Sequence, residues 1–179
     1  TTWDGVNQRI VRDKRGNETS YEYDAVNRVT RVTDPAPFQV QTVETTYEDT
    51  LNRVTEKDRR GTLKITQSDP LGRVVSVTGA SGAPEETVLE RSSYDALGNK
   101  VLAVDGAGKQ VQFVYDAANR LQEQTDGFDT VDAATTEYRY DESGNQTKVI
   151  DPRSTEAEPS EERAHDELNR VIDEWDGDR

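Results

Sequence analysis

The reactive groups of this chain are carboxylates: 36 Asp and Glu stand beside 22 Lys and Arg, one histidine and no cysteine. Acid pairs such as Asp95 with Asp105, or Asp116 with Asp126, raise glycoside hydrolysis, which needs two carboxyl groups flanking a substrate, one with an elevated pKa. His165 beside Asp166 raises general-base catalysis, which needs an imidazole within hydrogen-bonding reach of the proton it removes. The oxygen-rich stretches Asp126-Gly127-Phe128-Asp129 and Asp141-Glu142-Ser143-Gly144-Asn145 offer hard ligands to calcium, although neither has the alternating acids of an EF-hand loop. The 12 aromatic residues could stack on sugars, or pack against one another across strands.

A structural use competes with each of these, because the aspartates recur. Lead aspartates fall at Asp4, Asp24, Asp49, Asp69, Asp95, Asp116, Asp141 and Asp166, spaced by 20, 25, 20, 26, 21, 25 and 25 residues. The third residue after each is Gly or Asn: Asn7, Asn27, Asn52, Gly72, Gly98, Asn119, Gly144 and Asn169. Trp3, Tyr23, Tyr94, Tyr115, Tyr140 and His165 stand just before six of them, while Glu48 and Ser68 interrupt the ring pattern. Gly and Asn tolerate the positive φ of tight turns, and an Asp side chain accepts hydrogen bonds from backbone groups two residues on. One active site would not need eight copies. The aspartates therefore read as turn formers, together with Asn99 and Asn145 in the same turns. His165 reads as a ring in an aromatic slot, and the tyrosines as cross-strand packing. No catalytic group, metal ligand or cofactor is expected.

The copies YDALGNK (94–100), YDAANRL (115–121) and YDESGNQ (140–146) resemble the Rhs/YD-repeat family, found in bacterial polymorphic toxins, insecticidal toxin complexes and teneurins. The resemblance covers almost the whole chain. It implies repeats that coil into a β-sheet shell, which in the toxins encloses a C-terminal toxic domain. The implied partners are neighbouring repeats of a longer parent chain and an enclosed toxin domain, and the implied location is secreted or at a bacterial cell surface. The alternative it offers is an extracellular adhesion or carbohydrate-binding module. Asp69-Pro70-Leu71-Gly72 is similar to the Asp-Pro-x-Gly sequence at which Rhs cores cleave themselves. Here it lies in the ordinary turn register of the fourth copy, with four more copies after it, and reads as a turn.

Composition sets bounds on the rest. Val, Ile, Leu and Phe number 34 of 179 residues and the net charge is −14, near the range of disordered chains. Their ordered placement argues for structure, and a repeat array buries surface against its neighbours as well as in a core. The acidic balance disfavours nucleic acid and anionic membranes. No segment is apolar enough for a membrane-spanning helix. The absence of methionine, even at the start, suggests a piece of a longer protein.

Each repeat is expected to hold two strands and two turns. The ascending strand alternates (Tyr21/Tyr23, Val43/Thr45/Tyr47, Leu63/Ile65, Val111/Phe113/Tyr115, Tyr138/Tyr140), which predicts one buried face. Counted back from the lead Asp, these residues sit at odd distances in the second, sixth and seventh repeats but at even distances in the third and fourth. That change of parity predicts a β-bulge or extra turn residue just before Asp49 and again before Asp69. Second turns are marked at 13–17, 58–61 and 105–108, with longer inserts at 34–37, 79–84, 126–134 and 151–159 in the same place. The predicted fold class is all-β: repetitive antiparallel hairpins in one large, curved, coiled open sheet. The whole of 1–179 forms a single array of about eight repeats with no second domain. Its free edges invite edge-to-edge self-association.

Overall fold

Sixteen short strands joined by tight turns make up nearly all the regular structure. The computed structural model describes residues 1–35, 41–80 and 87–176. The strands are β1 (Thr2–Trp3), β2 (Gln8–Arg12), β3 (Glu18–Tyr23), β4 (Val29–Thr33), β5 (Thr42–Glu48), β6 (Arg53–Lys57), β7 (Leu63–Ser68), β8 (Val74–Ala80), β9 (Thr87–Tyr94), β10 (Lys100–Asp105), β11 (Gln110–Tyr115), β12 (Leu121–Asp126), β13 (Ala134–Tyr140), β14 (Gln146–Ile150), β15 (Glu161–His165) and β16 (Val171–Trp175). Their order in the sheet is their order in sequence, and every pairing described is antiparallel. Apart from one 3-10 turn at Asp49–Leu51, no helix occurs among the described residues. The inserts at 34–37 and 79–84 lie partly outside those residues.

The chain divides into two units, 1–91 and 92–179. The first carries 13 basic and 15 acidic residues, a net charge of −2; the second carries 9 and 21, a net charge of −12. Almost all of the acidity therefore belongs to the second unit.

The first unit shows how the residues sort. Tyr21 pairs with Val32, Val32 with Val43, and Tyr47 with Val54, placing these side chains on one face. Glu22, Arg31, Glu44 and Lys57 form a row across the other face. Arg31 lies 2.6 Å from Glu44 and 3.5 Å from Glu22, and Lys57 lies 3.6 Å from Glu44. In the second unit Lys148 reaches Glu162 at 3.6 Å and Arg163 reaches Glu174 at 2.7 Å across neighbouring strands. Exposed pairs of this kind contribute about 0–1 kcal/mol each, so they set register more than they stabilise.

The expected buried face is not there. Among the described residues only Ser92, Ile150 and Pro159 are buried, and most strand residues on both faces are half-buried. Alternation in these strands thus records which neighbours a side chain leans on, not which side faces a core.

That corrects the parity expectation too. In six repeats the register shifts at the last two residues of the ascending strand: Thr2/Trp3, Glu22/Tyr23, Gln67/Ser68, Val114/Tyr115, Arg139/Tyr140 and Ala164/His165. The bulge is therefore the general rule, and the one found before Asp69 is an instance of it. Before Asp49 the pairing runs regularly through Tyr47↔Val54 to Glu48↔Arg53, with no bulge. Leaving it out lets Tyr47, one residue further from its Asp, keep the face that Tyr21 occupies. The fourth repeat does turn over. Val54 pairs with Thr66 while Ile65 pairs with Thr55, so Ile65 and Leu63 lie on the face opposite Tyr47. With neither face forming a core, that inversion costs little.

Candidate functional site

Six of the eight lead aspartates organise the same small structure. In the second repeat the Asp24 Oδ1 atom accepts from the backbone N–H of Val26 and Arg28, both at 2.9 Å, and Oδ2 accepts from Arg28 Nε at 2.7 Å. The backbone N–H of Asn27 donates to the Asp24 carbonyl, and that of Asp24 to the carbonyl of Arg28. Asn27 must then adopt φ 66°, a left-handed conformation open to Gly and Asn but costly to other side chains. The pattern recurs at Asp69, Asp95, Asp116, Asp141 and Asp166, with Gly72, Gly98, Asn119, Gly144 and Asn169 all at positive φ. Two lead turns depart from it. At Asp4 the strained residue is Gly5 (φ 110°), the turn is one residue shorter, and Arg9 reaches Asp4 Oδ2 at 2.6 Å. Asp49 opens the 3-10 turn and Asn52 closes it at φ 50°.

Because Gly72 has nothing within 4 Å of the position a Cβ would take, only its φ penalises a side chain. Gly72→Ala should cost about 1 kcal/mol. Gly72→Asn should be close to neutral, since Asn fills the same position in other copies; urea denaturation of the two variants distinguishes these outcomes.

The second turns use the same hardware. Asp13 accepts from the N–H of Arg15 and Asn17, Asp58 from Arg60 and Thr62, and Asp105 from Ala107 and Lys109, with Gly16, Gly61 and Gly108 at φ 83–85°. Asp151 accepts from the Arg153 N–H and the Ser154 hydroxyl.

Beyond the sequence expectation, in six repeats the residue four after the lead Asp completes the turn, and in four of these it also ties that turn to the next. Arg28, Arg73, Arg120 and Arg170 place Nε on Oδ2 at 2.7–2.8 Å, and Asn99 and Asn145 place Nδ2 there at 2.9 Å. Arg28 also reaches both Asp49 oxygens, at 2.6 and 2.9 Å, and lies 4.0 Å above the Tyr47 ring. Arg120 lies 4.5 Å above Tyr140 and donates to the Asp141 carbonyl. Where asparagines are available they link neighbouring turns directly: Asn7 to Asn27 at 2.7 Å, Asn99 to Asn119, and Asn145 to Asn169 at 2.9 Å. Basic or amide residues at this position are visible in the sequence in all eight copies, as Gln8, Arg28, Arg53, Arg73, Asn99, Arg120, Asn145 and Arg170.

Tyrosine supplies a second tie. The Tyr115 and Tyr140 hydroxyls donate to the carbonyls of Lys100 and Leu121, at 3.1 and 2.7 Å, each five residues after the previous lead Asp. Tyr47 reaches Val29 and Tyr23 reaches Gln8 in the same way. Trp3 is exposed at the end of β1, and Tyr94 ends β9. In the fourth repeat Gln67 replaces the ring and reaches the Leu51 carbonyl at 2.6 Å. His165 occupies the slot in the last repeat, but its Nδ1 is enclosed without a partner. His165→Tyr should bring a hydroxyl to the Gln146 carbonyl and raise stability by about 1 kcal/mol, read as a higher midpoint in urea; an unchanged or lower midpoint would refute this assignment of the slot.

This geometry uses up the carboxylates. The backbone N–H of Arg120 and its guanidinium hold Asp116 below the usual carboxylate range, and the Asn99 amide does the same for Asp95. At Asp69 burial pushes upward, but the hydrogen bonds from Arg73 and Leu71 outweigh it and the pKa is lowered. A glycosidase acid needs the opposite shift. The candidate pairs are also far apart. Asp95 and Asp105 lie in turns at opposite ends of β10, whose six residues span about 20 Å, well beyond the roughly 5–9.5 Å of a carboxylate pair. Among the described residues no group of three His, Cys, Asp or Glu could hold a metal ion. Asp141 is engaged with the Asn145 N–H and side chain, and Gly127 and Asp129 shape a turn closed by the Thr130 hydroxyl on the Gly127 carbonyl.

The RHS repeat pattern matches residues 3–37 and 94–131. No curated protein matches the sequence. Among solved structures, the chain is similar to TcdB2-TccC3 in a crystal structure with Cdc42 (TM-score 0.70, 17% identity) and in one without its hypervariable C-terminal region (TM-score 0.70, 18% identity). Each match covers 87% of this chain and 9% of the other. At these identities the likeness is one of fold.

Proposed function

We propose that this chain belongs to the RHS-repeat family, whose pattern matches two stretches of it, and that it is a non-enzymatic, structural segment of a shell wall that encloses a cargo, such as a C-terminal toxin domain, in a longer secreted or cell-surface parent; its likeness in fold to TcdB2-TccC3 supports this reading. The observation that carries this reading is the pairing of turn to turn along the array: carboxylates, guanidiniums and tyrosine hydroxyls that could have served a substrate are spent on fixing one repeat to the next. Such groups make a stiff sheet, and a sheet with hardly any core of its own suits a wall continued by further repeats.

The test is protection of the enclosed domain. In the parent protein, in-frame removal of the two repeats from Asp24 to Ser68 should expose the downstream domain to added protease, while the intact parent shields it. Equal protection in both would sink the wall function. Specific micromolar binding of this chain on a glycan array would instead favour an adhesion module.

A further inference from the structure

The residue two after the lead Asp gives the turn its backbone N–H, which asks nothing of its side chain, yet that side chain is aliphatic in six of the eight copies: Val6, Val26, Leu51, Leu71, Leu97 and Leu168, with Ala118 and Ser143 in the others. All six aliphatics are 51–79% exposed. Single exposed aliphatics are ordinary, but the same exposed position filled in copy after copy is a surface. In the first unit the row is unbroken: Val6, Val26, Leu51 and Leu71 stand on four successive lead turns. Those turns are fixed to one another by Asn7–Asn27, Arg28–Asp49 and Gln67 to the Leu51 carbonyl. The second unit has Leu97 and Leu168 with small residues between them.

We propose that this edge of the first unit is a self-association surface, and that its partner is the same edge of a second copy of the chain. Spacing argues for that occupant. Successive lead turns are two strands apart, about 9.6 Å, so the aliphatic tips form knobs at that pitch. A second copy has the same pitch, and its knobs seat between these without drift. An extended strand offers side chains on one face every ~6.7 Å and falls out of step at once, and a helix at i, i+7 repeats every ~10.5 Å and drifts along the row. Charge argues for it as well: the first unit, at −2, can approach itself, whereas the second, at −12, repels its own kind. Packing one edge on its own copy gives a closed two-fold dimer.

Sedimentation equilibrium of the intact chain tests this. A reversible dimer is expected, with a dissociation constant on the order of 100 µM for so small an interface. The double variant V26K/L51K should raise that constant roughly tenfold or more, whereas L97K/L168K in the second unit should leave it unchanged; circular dichroism checks that both fold. A monomer at every concentration up to about 1 mM overturns the proposal, as does a dimer indifferent to V26K/L51K. Loss of such a dimer in Ile172→Lys would assign it to the exposed strand β16 and count equally against the proposal.

Discussion

Acidification to pH 3 should unfold this chain at a temperature far below that needed at pH 7, with stability nearly level above pH 5 and falling steeply below about 4. Twelve aspartates share one direction of shift. Asp24 is held low chiefly by the Arg28 N–H, Asp49 by the Arg28 side chain, Asp141 by the Asn145 amide and Asp166 by the Arg170 guanidinium; Asp4, Asp13, Asp34, Asp58, Asp69, Asp95, Asp116 and Asp151 are lowered as well. A carboxyl whose folded pKa lies below its unfolded value, about 3.9, contributes stability in full above that value and loses it as pH falls through the folded pKa. Each group is exposed or at most half-buried and its own contribution small, but they titrate in the same window, and unfolding should take up several protons there. Thermal melts by circular dichroism at pH 7, 4 and 3 measure this. A melting temperature at pH 3 within a few degrees of that at pH 7 would refute it, and Asp116→Asn should make the fall shallower.

Tyr140→Ala should be the most damaging single truncation among the ring positions, costing about 2–3 kcal/mol. The ring lies under the Arg120 guanidinium, and its hydroxyl donates to the Leu121 carbonyl. Removing it therefore loosens the hold of the seventh repeat on the sixth. Tyr140→Phe keeps the stacking and should cost only about 1 kcal/mol. In an array whose repeats are stabilised by their neighbours, the loss should be local: amides of β13 to β16 should exchange faster with deuterium, with those of β10 and β11 little changed. Uniformly faster exchange across the second unit would show that the clamp is not the local fastener described here.

The sequence announced its turns because their chemistry is local. A carboxylate that must accept N–H groups two and four residues on, and a left-handed residue three on, leave Asp and Gly or Asn at fixed spacing, and Asp95, Gly98 and Asn99 are readable without any coordinates. The strands were legible in number and order for the same reason. What alternation could not reveal was the missing core, because Val32 beside Tyr21 has the same period whether that face is sealed or open to water. Nor could it place the bulge: parity flagged Asp49 as irregular, but only the pairing showed that regular repeats carry the extra residue and this one lacks it. The tie made by Arg28 and Arg120 was missed although its signal was present, because a basic residue after a turn is usually just solvated surface.

The same turn chemistry serves both edges of the sheet. From a lead Asp down to the next turn Asp is 9 or 10 residues, as from Asp49 to Asp58 or Asp95 to Asp105, and back up is 11 where no insert intervenes, as from Asp58 to Asp69 or Asp105 to Asp116. The aspartates thus act as marks on a ruler, and the distance between marks fixes the width of the ribbon. Tandem duplication of a unit lengthens such a ribbon without altering its breadth, and since hardly any core must be refitted, a gene could gain or lose copies with little cost to those already in place.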